Sequence, residues 1–291
     1  MTSFVMAGSL LLGSPCTLLS PPGLLPRCPP PRANAAADSP SSWHVTVPRT
    51  LESTASQAAR SCLNALRAGR SRVWVEVAAP EFDPGSPIYR QLRLTALATQ
   101  LALPLLDAAE LLPASRRRVK MIYACPADAA AASGASFVAD LPAAVLGSAT
   151  AVDAADGAFV LVAPSLQHGP AARAERAVAD VAAAAGSRPV VVLNPRLGNS
   201  AALAEFERGY LCRPLAVSYR RDAYADALTS GAGCLLRCYP HEWSVHVQAD
   251  AGAGGRWQYA GDFPSQPTPA QLEQSIVHGL TRARFAPPPP P

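Results

Sequence analysis

The sequence predicts an α/β protein: a three-layer, Rossmann-like body on a mainly parallel sheet, extended by a C-terminal antiparallel meander and a final helix. Three observations predict it. Apolar runs such as "AFVLVAP" and "PVVVLNP" show little polar alternation, as strands covered on both faces do. Helical patterns alternate with such runs through the first two thirds of the chain, which implies crossovers between parallel strands. Further on, strand-like stretches follow one another with little room for helices.

The elements follow in order. Thr50 caps a helix whose apolar face is Leu51, Ala55, Ala59, Cys62, Leu63 and Leu66, and Gly69 ends it. "RVWVEVAAP" reads as a strand stopped at Pro80, and a helix is expected from about Pro87 to Leu106. "RVKMIYACP" is a strand stopped at Pro126, followed by an alanine-rich helix and a short strand in "AAVLG". "AFVLVAP" is a buried strand stopped at Pro164; "AARAERAVADVAAAAG" is a helix with Val178 and Val181 inward and Gly186 as its stop. "PVVVLNPRLGNSAALAEF" reads as strand, loop and helix, the helix continuing through "SAALAEFERGY". "LAVSYR", "GCLLRCYP", "EWSVHVQA" and "RWQYAGDF" are the meander, and "TPAQLEQSIVHGLTRARF" is a helix presenting Leu272, Ile276 and Leu280.

One α/β domain is expected over residues 46–285 of the 291, with a leader and linker at 1–45 and a proline tail at 286–291. No acid precedes Asp38, and the leader is rich in Ser, Thr, Pro and Ala with arginines at Arg27 and Arg32. That is the composition of an organelle transit peptide. A secretory signal is the rival, but the first charge is Arg27, so there is no basic n-region, and prolines interrupt the apolar run. "LTALATQLALPLLDAAELL" is broken by Pro104 and Asp107 and reads as a buried helix, not a membrane span.

Composition removes several chemistries. The net charge of +4 makes no case for nucleic acid, and no nucleic-acid partner is expected. Lys120 is the sole lysine among 25 basic residues, and no glycine-rich loop precedes it, so a Walker phosphate loop is excluded. There is no G-x-S-x-G elbow and no G-x-G-x-x-G after a strand. Outside the leader five cysteines remain, an odd number without framework spacing, which suits a reducing compartment. Cys234 and Cys238 are too far apart on a strand, about 13 Å, to share one ion, and read as core cysteines. His241 and His246 read as surface residues and Trp243 as packing. No metal, catalytic residue or cofactor is assigned.

Four expected strands end in Ala79-Pro80, Cys125-Pro126, Ala163-Pro164 and Asn194-Pro195. Proline lacks an N–H and ends a ladder. In a parallel sheet these ends share one edge, where open α/β sheets bind ligands. The side chains delivered there are Glu81, Asp83, Asp128, Ser165, His168, Asn194 and Arg196, with Arg196 placed to meet an anion beside a helix N-terminus. The competing reading is plain strand termination in a chain with 30 prolines. The run Arg116, Arg117, Arg118 and Lys120 reads as a solvated charged face, or as a surface for a partner protein or anionic lipid.

Across about Val47 to Phe285 the strand with "NPRL", the "EF" helix, the "YP..W" hairpin and the "FP" before the last helix resemble the family called domain of unknown function 1995, found in plants, algae and cyanobacteria. Members similar to this chain are chloroplast proteins; one is a factor for photosystem II accumulation and another is fused to an adenylate kinase. The resemblance brings no catalytic residue. It implies a non-catalytic stromal protein that assists assembly or accumulation of photosystem II or another thylakoid complex by binding a protein partner of the photosynthetic machinery, with peripheral thylakoid contact. The rival expectation is a binder of, or enzyme acting on, a nucleotide or phosphorylated metabolite at the carboxyl edge.

Overall fold

In the computed structural model, described residues are 45–83, 86–108, 110–134, 141–164, 171–197, 200–220, 228–248 and 256–285. The leader up to residue 44 and the proline tail lie outside them. Among them are nine strands: β1 (Arg72–Val77), β2 (Val119–Tyr123), β3 (Ala143–Val145), β4 (Ala158–Val162), β5 (Val190–Leu193), β6 (Glu207–Arg220), β7 (Leu228–Cys238), β8 (Trp243–Gln248) and β9 (Gln258–Phe263). The helices are α1 (Leu51–Arg67), α2 (Gln91–Asp107), α3 (Pro126–Ser133), α4 (Ala171–Ala185) and α5 (Pro269–Phe285). One sheet holds the strands in the order β3-β2-β4-β5-β1-β6-β7-β8-β9. The first six positions are parallel and the last three antiparallel, so β6 is the junction.

α1 forms where Thr50 and Ser53 cap reciprocally: each hydroxyl accepts from the other's backbone N–H, at 3.1 and 3.0 Å. It ends before Gly69, whose φ of +83° suits glycine. α1 and α2 cover one sheet face, burying Cys62, Leu66, Leu97 and Leu101 against Val73, Val75, Met121 and Tyr123. α4 covers the other face over β4 and β5, with Val178 and Val181 against Phe159, Leu161 and Val192. α5 covers that same second face further along, with Ile276 and Leu280 on Leu211, Leu235 and Val245. Three layers result, as the sequence predicts.

β2, β4 and β5 are buried on both faces, but β1 alternates half-buried and buried. On the second face β1 carries Trp74 and Glu76, next to β6. Arg208 lies 3.7 Å over the Trp74 ring and 5.6 Å from that of Trp243, and Arg213 pairs with Glu76 at 2.5 Å. A polar strip thus runs along that side of β1.

Two helix expectations are corrected. α2 starts at Gln91, not near Pro87, because Arg90 N–H donates to the Glu81 carbonyl at 2.9 Å and holds the preceding loop extended. "SAALAEFERGY" is not a helix: only Ala201–Leu203 make a single 3₁₀ turn, and β6 begins at Glu207. Pairing decides it. Glu207 to Cys212 run beside β1, Tyr210 is fully buried, and the Ser61 hydroxyl donates to the Gly209 carbonyl at 2.6 Å. A side chain at Gly209 would strike Val73, so only glycine lets β6 approach. His246 is interior, not surface: it is buried on β8 and hydrogen-bonded to the Ser244 hydroxyl at 3.0 Å.

Candidate functional site

β2, β4, β5 and β1 are adjacent and parallel, so Pro126, Pro164, Pro195 and Pro80 all stand at the same carboxyl edge. The chain leaves that edge towards opposite faces: β2 leads to α3 on the α2 side, and β4 leads to α4 on the other. Such a divergence marks the switch point at which open α/β sheets bind ligands. The prolines do different things. Pro80 starts a 3₁₀ turn, and Pro126 is the first residue of α3 behind Cys125, whose Sγ accepts from the Asp128 N–H at 3.5 Å.

Ala163 and Asn194 precede Pro164 and Pro195 on neighbouring strands, with φ of +44° and +47°. Such left-handed backbone is costly for residues other than glycine, least so for Asn. The two kinked loops stay together: the Ala163 N–H donates to the Leu193 carbonyl, and the Arg196 N–H to the Pro164 carbonyl, both at 2.8 Å.

The kink turns Asn194 into a piece of sheet. Its Oδ1 accepts from the Val77 N–H at 2.7 Å and its Nδ2 donates to the Val77 carbonyl at 3.1 Å, with the side chain buried. It extends the β1–β5 ladder by one side-chain rung, and its amide does not face a ligand. The helix expected to follow Arg196 is a single 3₁₀ turn, so the helix N-terminus anticipated there is not formed. The Arg196 guanidinium pairs instead with Asp83 at 3.5 Å and donates to the Phe82 carbonyl at 3.4 Å. Glu81 is buried and takes a 2.9 Å contact from Arg93 of α2. Ser165 and His168 lie outside the described residues.

Sequence reasoning missed Tyr89. Burial pushes its hydroxyl up to about 12, the Asp128 carboxylate and the Cys125 thiol add to the rise, and Arg196 opposes it. Those three side chains, two from the start of α3 and one from the loop after β5, therefore share its neighbourhood. The Tyr89 hydroxyl donates to Gln91. Deeper, Tyr123 and Thr95 are fully buried and neither hydroxyl closes a hydrogen bond within reach. The one legible hint was a lone aromatic in "SPIYRQ" between Pro80 and α2.

A concavity of about 590 Å³ lies on the α1 side of β8 and β9. Val45, Val47, Pro48 and Arg49 form one wall, and His246, Trp257 and Tyr259 the other. Trp257 and Tyr259 are half-buried and Arg49 is exposed. Burial, then the hydrogen bond with Asp262, raises the Tyr259 hydroxyl above its ordinary range. Nothing in the sequence brought 45–50 and 257–259 together, because the contact crosses some two hundred residues.

The arginine run divides. Arg116 and Arg117 are exposed before β2. Lys120 does not belong to that surface: it is buried, with Nζ 2.5 Å from Asp156 Oδ2 and 3.0 Å from the Thr150 carbonyl, and Arg118 reaches the same carboxylate at 3.2 Å. A carboxylate with no exposure needs such partners, which withdraws the only lysine from any partner or membrane surface. Among the described residues no helix is long and apolar enough to cross a membrane, and no group of His, Cys, Asp and Glu is arranged to hold a metal.

With the fold, the rim and this concavity in view, comparison with family models matches residues 48–274 to "Domain of unknown function (DUF1995)". The match covers most of the chain, and the protein belongs to that family.

Proposed function

We propose that this member of the family is a non-catalytic chloroplast protein that assists assembly or accumulation of photosystem II, or of another thylakoid complex, by binding a partner protein. The observation that carries the binding role is the groove walled by Arg49, Trp257 and Tyr259. Trp, Tyr and Arg are the residues that concentrate binding energy at protein interfaces, and a pocket rimmed by them suits an extended or loop segment. The compartment rests on the acid-poor leader and on what the family likeness implies. Peripheral thylakoid contact falls to Arg116, Arg117 and Arg118, the exposed members of the basic run. The rim groups Asn194, Glu81 and Arg196 hold the loops to one another, a use consistent with a scaffold.

The test is fractionation of plastids followed by affinity purification. The protein is expected in the stroma and at the thylakoid surface, with subunits or assembly proteins of a photosynthetic complex recovered, and with recovery lost in Trp257→Ala. Residence in the cytosol, or equal recovery by Trp257→Ala, overturns the proposal.

A second reading, a binder of or enzyme on a nucleotide or phosphorylated metabolite at the carboxyl edge, is favoured by one specific observation. The left-handed Ala163 and Asn194 end neighbouring strands at the rim from which Asp128 and Arg196 also depart, and backbone strain of this kind gathers at binding sites. A thermal-shift screen with phosphorylated metabolites and divalent metals decides it: stabilisation that disappears in Arg196→Ala supports a site, and none argues against it.

A further inference from the structure

Five free cysteines occur among the described residues, and four of them lie in the same layer of core, beneath α1. Cys212 of β6 and Cys234 of β7 come closest, with their sulfurs 4.0 Å apart. Their register explains the approach. Cys212 stands opposite Leu236, and Cys234 opposite Pro214, so the two thiols are diagonal neighbours on one sheet face. The Cys212 carbonyl accepts from Ala78 on the β1 side, so Cys212 and, by alternation, Pro214 turn their backbone groups away from β7. Both positions are therefore non-hydrogen-bonded pairs, the kind whose side chains lie closer.

The position in the fold matters as much as the distance. β1 pairing ends at Val77 opposite Cys212, and β8 reaches only Ala232 of β7. Beyond those points β6 and β7 continue as a two-stranded ribbon to Arg220 and Leu228. The thiol pair sits at the base of that ribbon.

We propose that Cys212 and Cys234 form a reversible disulfide that stiffens the base of the β6–β7 ribbon, by exchange with a low-molecular-weight disulfide. The Cys212 thiolate attacks one sulfur of glutathione disulfide and one glutathione thiolate leaves. Cys234, its proton passing to the glutathione thiolate released in the first step, attacks the Cys212 sulfur and expels the second glutathione. Two protein thiols and one small disulfide become one protein disulfide and two small thiols. The order follows from the hydrogen bonds: that from the Cys234 thiol lowers the Cys212 pKa, while Cys234 is held protonated. A disulfide needs sulfurs about 2.05 Å apart, so the strands must draw together, and a bond formed under strain is readily reduced. That makes the pair a switch and not a permanent staple.

The experiment uses the full chain in mixtures of reduced and oxidised glutathione, quenched in acid, alkylated and cut with trypsin. Cleavage after Arg208, Arg220, Arg221 and Arg237 puts Cys212, Cys234 and Cys238 on separate peptides. The expected product is a peptide pair joined through Cys212 and Cys234, lost on reduction with dithiothreitol. In Cys234→Ala the expected product is a single glutathione adduct at Cys212. The linkage is read on the unaltered chain, so the result does not depend on a variant folding. Absence of that linkage at ratios where the half-exposed Cys125 has taken up glutathione overturns the proposal, whatever the outcome for the partner.

Discussion

Replacing Asn194 with alanine tests whether its amide is a rung of the sheet. The substitution removes both contacts to Val77, at 2.7 and 3.1 Å, and leaves a buried N–H and a buried carbonyl without partners. Each orphaned group costs about 1–3 kcal/mol. Alanine at a φ of +47° adds backbone strain of about 1 kcal/mol beyond that of Asn. The expected loss is about 4 kcal/mol, or a fall in Tm of about 10 °C for a domain of this size. Asn194→Gly loses the same two contacts but not the φ penalty, and is expected to be about 1 kcal/mol milder than alanine. Urea unfolding followed by far-UV circular dichroism measures both. An alanine variant within about 0.5 kcal/mol of wild type would refute the ladder role and return Asn194 to the pool of ligand residues.

Two further predictions concern buried ionisable groups. Lys120→Met takes the nearer cation from the buried Asp156 carboxylate, leaving Arg118 at 3.2 Å, and is expected to cost about 3 kcal/mol, with most of it recovered in the Lys120→Met, Asp156→Asn double variant, as chemical unfolding would show. Burial pushes the Cys62 thiol from 9.0 up to about 12. The folded state then holds a proton that the unfolded chain releases, so this stability is fully present below pH 9 and is lost as pH rises towards 12. Unfolding measured from pH 8 to 11 is expected to steepen above pH 9, and Cys62→Ala to flatten the slope by about 1.4 kcal/mol per pH unit.

Periodicity made the layers legible, and proline marked the shared rim correctly. Buried runs such as Val190–Leu193 can only be central strands once helices flank them on both sides. What failed was local composition set against pairing. "SAALAEFERGY" has helical residues, yet the free edge of β1 and the small Gly209 draw its second half into the sheet. Glu81, Asp128, Asn194 and Arg196 do follow strand ends at that rim, but their use was not legible. Whether Asn194 faces a ligand or Val77 depends on a φ sign that composition does not reveal. Lys120 read as surface because it follows three arginines, while Asp156, its reason for burial, lies 36 residues on, just before the neighbouring strand β4. The groove joins residues 45–50 to 257–259, a contact with no local signature.

The central claim is that a partner protein docks at the groove of Arg49, Trp257 and Tyr259 and not at the proline rim. Hydrogen exchange on the complex with the thylakoid partner recovered from plastids measures this directly. Slowed exchange at residues 45–50 and 256–263, with the backbone at 80–83, 163–164 and 194–197 unchanged, is the predicted footprint. Protection confined to the rim, with the groove exchanging as in the free protein, would contradict it.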